Sequence, residues 1–439
     1  MRPQRSTTSR AWRSWSGLSN AHPAQVVSPA SPAEVVDAVT AARTNGLTVK
    51  MVGAGHSFTD IAVADGLMLR PDRLVGIRSF DREAMTVTLL SGTPLHQLND
   101  ILHTLGVALH NMGDVDRQTV AGAISTGTHG TGGRWASLSA QVAALDIVTA
   151  DGTHVHTTTS DHPDLFHAAR VGLGALGIIT AVTFLVEPAF LLEAVEEPMA
   201  WDRAVGSYDE MVEANDHLDL YWFPHTARVL AKRNNRATGE PRPLSRIRGY
   251  VDDELLSNTV FGWLNRVGNR APRMIPNINK LSARGQGART YSDASARVFT
   301  APRRVVFREM EYSLPRAAGM QALAEVRRLI DASGWRISFP VEVRHTPADD
   351  IWLSTSYGRE SVYLAFHVNE QTDHTAYFQG VEGILRAYDG RPHWGKLHTR
   401  TAEDLAPAYE RWSDFARVRD DVDPARLFTN AYLDRVLGP

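Results

Sequence analysis

The sequence predicts an α+β protein built in two parts, and three observations carry that prediction. The chain runs to 439 residues, longer than a single domain usually extends. Its first 190 residues alternate well-punctuated helices with short β-branched strands. From about residue 190 the texture changes to longer amphipathic helices set among strand-like runs.

The elements follow in order. "SPAEVVDAVTAARTNG" reads as a helix, with Ser31 as N-cap, Pro32 as first helical residue, Glu34 as capping-box partner and Gly46 just past the end. "LTVKMVG" and "MTVTLLSG" read as strands. "TPLHQLNDILHTLG" repeats the helix formula, with Thr93 as cap, Pro94 next and Gly106 at the end. "VAALDIVTADGTHVHTTT" predicts a hairpin turning at Asp151-Gly152, and "GIITAVTFLVEP" a strand ended by proline. In the second half "LDLYWFP" and "ESVYLAFHVNE" are strand-like, whereas "MQALAEVRRLIDASG" and "HTAYFQGVEGILRAYDG" keep a 3.6-residue apolar period. Residues 232–300, rich in Arg, Asn, Gly and Pro, predict irregular or mobile surface. The closing "DPARLFTNAYLDRVLGP" carries apolar anchors that should dock on the body, and the arginine-rich start reads as a ragged tail.

Composition removes several functions. Hydrophobic residues make up 43% and charged residues 22%, an ordinary globular balance. The net charge of −3 offers no basic excess for nucleic acid. There are no cysteines, so disulfides, thiolate metal sites, iron–sulfur clusters and cysteine nucleophiles are excluded. There is no secretory leader pattern and no stretch approaching the ~18 apolar residues of a membrane span. A cytoplasmic protein is expected, with peripheral membrane contact left open.

Two glycine loops hold the chemistry of the first half. "MVGAGHSFTD" sets His56 on a tight corner after a strand; metal ligation, phosphate binding and a covalent cofactor bond all suit such a position. "NMGDVDRQTVAGAISTGTHGTG" mixes glycines with Ser and Thr, whose N–H groups and hydroxyls can cradle a pyrophosphate without lysine. "GLGALG" at 172–177 fits a dinucleotide fingerprint by letters alone. A helix-like run precedes it and a strand-like run follows, the reverse of the order that motif needs, so a close-packed turn is the better reading. His56, His129 and the pair His154 and His156 lack an H-E-x-x-H pattern or adjacent acids, so no metal site is expected. In the second half Glu342 and Arg344, two apart in "FPVEVRHT", share one strand face. There a carboxylate can take a proton and a guanidinium can hold a developing anion. Lys396 in "RPHWGKLHT" is stiffened by Trp394 and Gly395.

With "WSG" at 15–17, "GHSF", "GDVDRQTVAGAISTGTHGTG", "LDIVTADG", "MEYSLP", "VEVR" and "RPHWGK" in hand, the chain resembles the vanillyl-alcohol-oxidase-type flavoproteins with a PCMH-type FAD domain. Among these it is similar to the aldonolactone oxidoreductases: gulonolactone oxidases and dehydrogenases, arabinonolactone oxidases and the related alditol oxidases. The resemblance implies an FAD domain over 1–190 completed by the tail 416–439, and a substrate cap over 191–415 with an antiparallel sheet flanked by helices. It implies FAD attached covalently through His56. Gly53, Ala54, Gly55 and Ser57 would line that turn, and Gly122, Ser125, Thr126, Gly127, Thr128, His129 and Gly130 would hold the pyrophosphate and ribityl chain. Ile178 or Ile179 would sit by the adenine. Hydride would pass from a carbon bearing a hydroxyl to the flavin, with Glu342, Arg344, Lys396, His367 and Asn369 on the substrate face. Gly113 aligns with a family position that gates oxygen, where glycine admits it. Asp114 stands where the alditol branch commonly has serine, and Asn369 departs similarly, so a sugar lactone is expected before an open-chain polyol. O2 or an acceptor protein would reoxidise the flavin.

Overall fold

The computed structural model describes residues 11–244, 270–301 and 305–439. The first part holds a three-stranded and a five-stranded sheet, with two further two-stranded pairs. Strands Gln25–Val27, Leu67–Leu69 and Val49–Met51 form a parallel three-stranded sheet with Leu67–Leu69 in the middle. Helix Pro32–Thr44 buries Val35, Ala38, Val39 and Ala42, the 3.6-period face its sequence offers. Its N-cap is the expected Ser31, whose hydroxyl accepts from the Glu34 N–H at 3.2 Å. The capping box itself is displaced: the Glu34 carboxylate accepts from Ala30 N–H, one residue before the cap. Thr93 also departs from expectation. Its hydroxyl accepts from Gly76 N–H and donates to the Leu90 carbonyl, so helix Leu95–Leu105 starts after Pro94 with no side-chain cap. Gly106 closes that helix at φ +73°, a conformation glycine adopts without a Cβ penalty.

A five-stranded antiparallel sheet follows, ordered His154–Thr157, Val142–Val148, Ile178–Leu185, Thr86–Leu90, Ile77–Asp81. The hairpin turns at Asp151-Gly152 as its sequence predicts. Asp151 accepts from the Thr153 N–H, and Gly152 takes φ +91°.

The second part is one eight-stranded antiparallel sheet. Its order is Arg289–Ala294, Leu191–Ala200, Arg228–Ala237, His217–Trp222, Val341–Thr346, Ser361–Asn369, Phe307–Pro315, Arg391–Pro392. Side chains alternate across it. Leu218, Leu220, Trp222, Met310, Tyr312, Leu314, Val341, Val343, Leu364 and Phe366 join a buried core with Leu323, Val326 and Ile330 of helix Arg316–Ser333 and Val381 and Leu385 of helix Thr375–Ala387. The intervening residues face the other way, towards the first part. They are polar: Asp219, Glu309, Glu311, Glu342, Arg344, Tyr363 and His367.

Residues 232–300 are more regular than their composition suggests. Where described, they hold the end of strand Arg228–Ala237, helix Ile275–Gly285, strand Arg289–Ala294 and helix Ser295–Phe299. Partners on the large sheet order a segment whose own period is weak; residues 245–269 lie outside the described region. The start of the chain corrects the ragged-tail expectation in part. Trp12–Arg13 pair with Asn20–Ala21, while residues 1–10 are outside the described region.

The C-terminal helix Ala431–Leu437 packs Tyr432, Leu433 and Val436 into the core of the first part. Ile351, Trp352, Leu353, Trp394, Leu405, Tyr409, Phe415 and Val418 join that same core. Loops assigned to the cap by sequence position therefore pack on the first part, because the sheet returns its connections to that side.

Candidate functional site

His56 stands where the two parts meet. Strand Val49–Met51 delivers the chain into Gly53–His56, and Gly55 makes the corner at φ +68°. A Cβ on Gly55 would come within 2.9 Å of the Trp12 ring. Trp15 stacks on the His56 imidazole with ring centroids 5.2 Å apart, and the Trp15 N–H donates to the Gly55 carbonyl at 2.9 Å. On the other side Phe58 N–H donates to the Gly395 carbonyl at 2.8 Å, joining "GHSF" to "HWGK" across the fold. Burial pushes the His56 ring down to about 4, and the Lys396 and Arg117 cations add to the effect. The imidazole is therefore neutral at pH 7.

Two cavities open from this point. A narrow cleft of about 120 Å³ runs between the three-stranded and five-stranded sheets. Gly53, Ala54, Gly55, His56, Ser57, Gly122, Ser125, Thr126, Ile178 and Ile179 line it. The "GLGALG" turn, expected from sequence to serve packing, contributes too, through Leu173, Gly174 and Gly177. It does run from helix Pro163–Ala169 into strand Ile178–Leu185, the reverse of a dinucleotide turn. Thr119 caps the short helix Val120–Ser125 by accepting from the Gly122 N–H. The wall also holds Lys50, which the sequence did not single out. It is 4% exposed, and its ammonium donates to the carbonyls of Leu173, Gly174 and Phe428. Burial lowers it to about 7, with Arg419 adding to the shift. Glycines that let the backbone approach closely, hydroxyls and a buried lysine that a neighbouring anion would hold protonated make this cleft fit an elongated anionic cofactor.

The second cavity, about 510 Å³, lies between that cleft and the polar face of the large sheet. Ala54, His56, Ser57, Gln118 and Thr126 line both, so the two are continuous. Gly113, Asp114, Thr128, His129, Glu309, Glu311, Arg344, His393 and Lys396 surround it. Lys396 pairs with Glu309, whose other oxygen lies 3.3 Å from His367 Nε2. Burial works against the ammonium, but Glu309 and Glu311 outweigh it and hold Lys396 above its usual range. Burial likewise works against the Glu309 carboxylate, and Lys396 and His367 reverse it. Arg344 is held by Glu342 at 2.6 Å, Asp219 at 3.0 Å and Asp114 at 3.5 Å. These carboxylates overcome burial and keep it charged. The loop carrying Lys396 is rigid: Trp394 is fully buried, its indole N–H donates to the Leu353 carbonyl, and Tyr432 donates to the Trp394 carbonyl.

The sequence-predicted residues divide between these spaces. Thr128 and His129 face the second cavity, not the cleft. Gly127 and Gly130 line neither; a Cβ on Gly130 would collide with the Met112 carbonyl, so this glycine serves a close backbone crossing. Glu342 and His367 stand behind the lining residues, each paired with one of them. Asn369 is farther along the strand, opposite Phe307, and accepts from the Gln371 N–H. Glu309 and Glu311 were missed. Their signal was the alternation of "REMEYSLP": one face acidic, the next apolar, in a strand with helices on its apolar side.

His129, Glu311 and His393 bring ligand-type atoms within 4.8 Å of one another. Their hydrogen bonds describe a different arrangement. His129 Nδ1 donates to the Gly130 carbonyl, and its Nε2 faces Glu311 at 3.4 Å. His393 Nδ1 accepts from the Gly395 N–H, which places the ring proton on Nε2. The Lys396 ammonium adjoins the same carboxylates and would oppose a further cation.

Comparison with known proteins agrees with this layout. An FAD binding domain model matches residues 23–158, and a D-arabinono-1,4-lactone oxidase model matches residues 182–436. The L-gulono-1,4-lactone dehydrogenase of Mycobacterium tuberculosis is 38% identical, with 98% of this chain and 100% of that protein covered. The L-gulonolactone oxidase of Mus musculus is 31% identical over 97% of this chain and 98% of that one. An alditol oxidase of a Streptomyces species is 31% identical over 88% of this chain and 89% of its own. Among solved structures, cholesterol oxidase from B. sterolicum superposes with TM-score 0.82 at 18% identity, covering 100% of both chains; at that identity it speaks for the fold. A glycine-lined cleft over the span of the FAD model, opening into a charged cavity over the span of the lactone oxidase model, places the chain in the D-arabinono-1,4-lactone oxidase family of FAD-domain flavoproteins.

Proposed function

We infer that the protein is an FAD-dependent oxidoreductase that oxidises an aldonolactone of the gulono- or arabinono-1,4-lactone type. The observation that carries this is the junction at His56, where the anion-suited cleft opens onto a cavity holding two partly buried, carboxylate-fixed cations. The glycine loops and Lys50 would hold the pyrophosphate end. FAD, when bound, supplies a two-electron acceptor for a C–H bond beside a hydroxyl.

The chain's own residues do the rest. Lys396 and Arg344 are kept charged and immobile, so they donate to a substrate oxygen as negative charge gathers on it. Glu309 and Glu342 position those cations; Glu342 acts on the substrate face through Arg344. His393, lowered by burial to about 3, stays neutral and offers an N–H without a net charge. Asp114 lines the cavity and pairs with Arg344 at 3.5 Å, adding an acid to the wall that carries that cation.

His56 is the attachment point for the flavin. Its ring is neutral at pH 7, which leaves a lone pair free for bonding, and Trp15 fixes its plane. Gly113 lines the second cavity, where a Cβ would meet the His129 carbonyl at 3.0 Å and Thr128 Cγ2 at 3.3 Å; with FAD bound, the missing methyl group would leave an opening for a small molecule there. This favours reoxidation by O2.

The test is a panel of gulono-1,4-lactone, arabinono-1,4-lactone and xylitol with purified holoenzyme, under air and under nitrogen with an artificial acceptor. Turnover of a lactone ahead of xylitol is expected, with activity in air. Preference for xylitol would make the protein an alditol oxidase. Activity only with the artificial acceptor would make it a dehydrogenase.

A further inference from the structure

A second groove of about 510 Å³, which shares no lining residue with the cleft or the charged cavity, carries a concentration of positive charge. His225, Thr226, Arg228, Lys280, Arg284 and Arg327 form most of its lining, with Asp331 as its acid. This runs against the chain's net charge of −3.

The groove is built, not a chance cluster of mobile side chains. The helix that bears Lys280 and Arg284 is pinned by the neighbouring Asn279, 1% exposed, whose amide donates to the Pro224 carbonyl at 2.9 Å and the Ile337 carbonyl at 2.8 Å. That fixes helix Ile275–Gly285 against the turn after strand His217–Trp222 and sets its Lys280–Arg284 ridge. The turn is equally constrained. Trp222 Nε1 donates to the Thr226 carbonyl, and Thr226 Oγ1 to the Phe223 carbonyl. His225 adopts φ +65°, a left-handed conformation that a non-glycine residue keeps only when its surroundings demand it. The Ile337 N–H donates to His225 Nε2 at 3.1 Å and so holds the ring in place. The ring proton then sits on Nδ1, so His225 brings a donor to the groove. Arg327 is fixed by the Trp201 ring at 4.5 Å and by Asp331 at 3.9 Å.

Arg228, Lys280 and Arg284 have no carboxylate partner within ion-pair distance among the described residues. Lys280 and Arg284 are also four apart on one helix, a spacing at which like charges repel. Positioned cations without counter-ions, with one neutral N–H donor among them, are the donor set that phosphoryl oxygens accept from in several directions at once.

We propose that this groove binds a small multivalent anion of the diphosphate type, at a site separate from the flavin and substrate cavities. Arg228, Lys280 and Arg284 supply the charge, His225 and Arg327 the fixed donors.

The experiment titrates flavin-loaded holoenzyme with inorganic pyrophosphate by calorimetry, at ionic strength held constant with sodium chloride. The double variant Lys280→Ala/Arg284→Ala is run alongside. Both residues are exposed, so the variant should fold, and its lactone turnover should match the parent's. Saturable binding to the parent, weakened at least tenfold in the double variant, supports the site. Heat that does not saturate means screening alone and overturns it. Equal affinity in the double variant overturns it too, and locates any bound pyrophosphate elsewhere. A further variant, Arg228→Ala, should weaken binding again without altering flavin content.

Discussion

The two cavities that meet at His56 are built by opposite means. The narrow cleft is lined largely by short stretches, 53–57, 118–126 and 173–179, whose small residues leave the backbone close to the cavity. The wider cavity is made of single side chains from many places: Asp114, His129, Glu309, Glu311, Arg344, His393 and Lys396. In the first, the wall is mostly backbone and small side chains. In the second, it carries charges that would be costly alone and are affordable only together. The cleft should therefore fail by losing its cofactor, the cavity by losing rate and stability at once.

The largest expected effect tests the second half of that contrast. Lys396→Met should lower kcat/KM by about 10²–10³-fold. It should also lower stability by about 3 kcal/mol, because Glu309 is left buried without its cation. Adding Glu309→Gln should restore most of the stability and none of the rate. If the rate returned with the stability, Lys396 would be structural only. Activity assays and denaturant unfolding of the two variants read both quantities.

His56→Ala probes the first half. Acid precipitation of the parent should keep the yellow colour in the pellet; the variant should release it while still binding FAD. Trp15→Ala, which removes the ring stacked on His56, should lower the covalently attached fraction with His56 intact. Colour retained in the pellet by His56→Ala would place the attachment elsewhere.

Gly113→Ala is a smaller change in the wall of the wider cavity. The new methyl group meets the His129 carbonyl at 3.0 Å and Thr128 Cγ2 at 3.3 Å, a fit that small shifts can relieve. Stopped-flow traces should show reoxidation by air slowed about tenfold or more and reduction by substrate nearly unchanged. An unaltered oxygen rate would remove this position from oxygen control.

The smallest effect is spread over the whole molecule. Burial lowers His56 and His345 to about 4, and His393 and His398 to about 3, from an ordinary 6.5. Below pH 6.5 the unfolded chain takes up protons that the folded chain refuses. Stability should hold above that pH and fall as pH drops from 6.5 towards 4. Thermal unfolding across this window should show the slope, and His398→Asn should flatten it.

Much of this was legible in the sequence, for identifiable reasons. Helices with caps and glycine stops, the hairpin at Asp151-Gly152 and the "GHS" corner are local, and local signals survive without knowledge of neighbours. Glu342 and Arg344 were legible because period-2 spacing puts them on one face. Glu309 and Glu311 followed the same rule inside "REMEYSLP", but nothing local said that this face would meet Lys396 and His129. Lys50 looked like an ordinary strand residue, since only the fold brings the carbonyls of Leu173, Gly174 and Phe428 around it.

The sequence by itself determined the fold class, the flavin-type loops and the residue types available for chemistry. The tertiary structure alone decided which charges are partners, which glycines line a cavity and which serve a backbone crossing, and that loops from both parts share one core. The reason is range. Backbone propensity and side-chain period act within a few residues, whereas charge pairing and burial depend on distances in space that only strand order and register set.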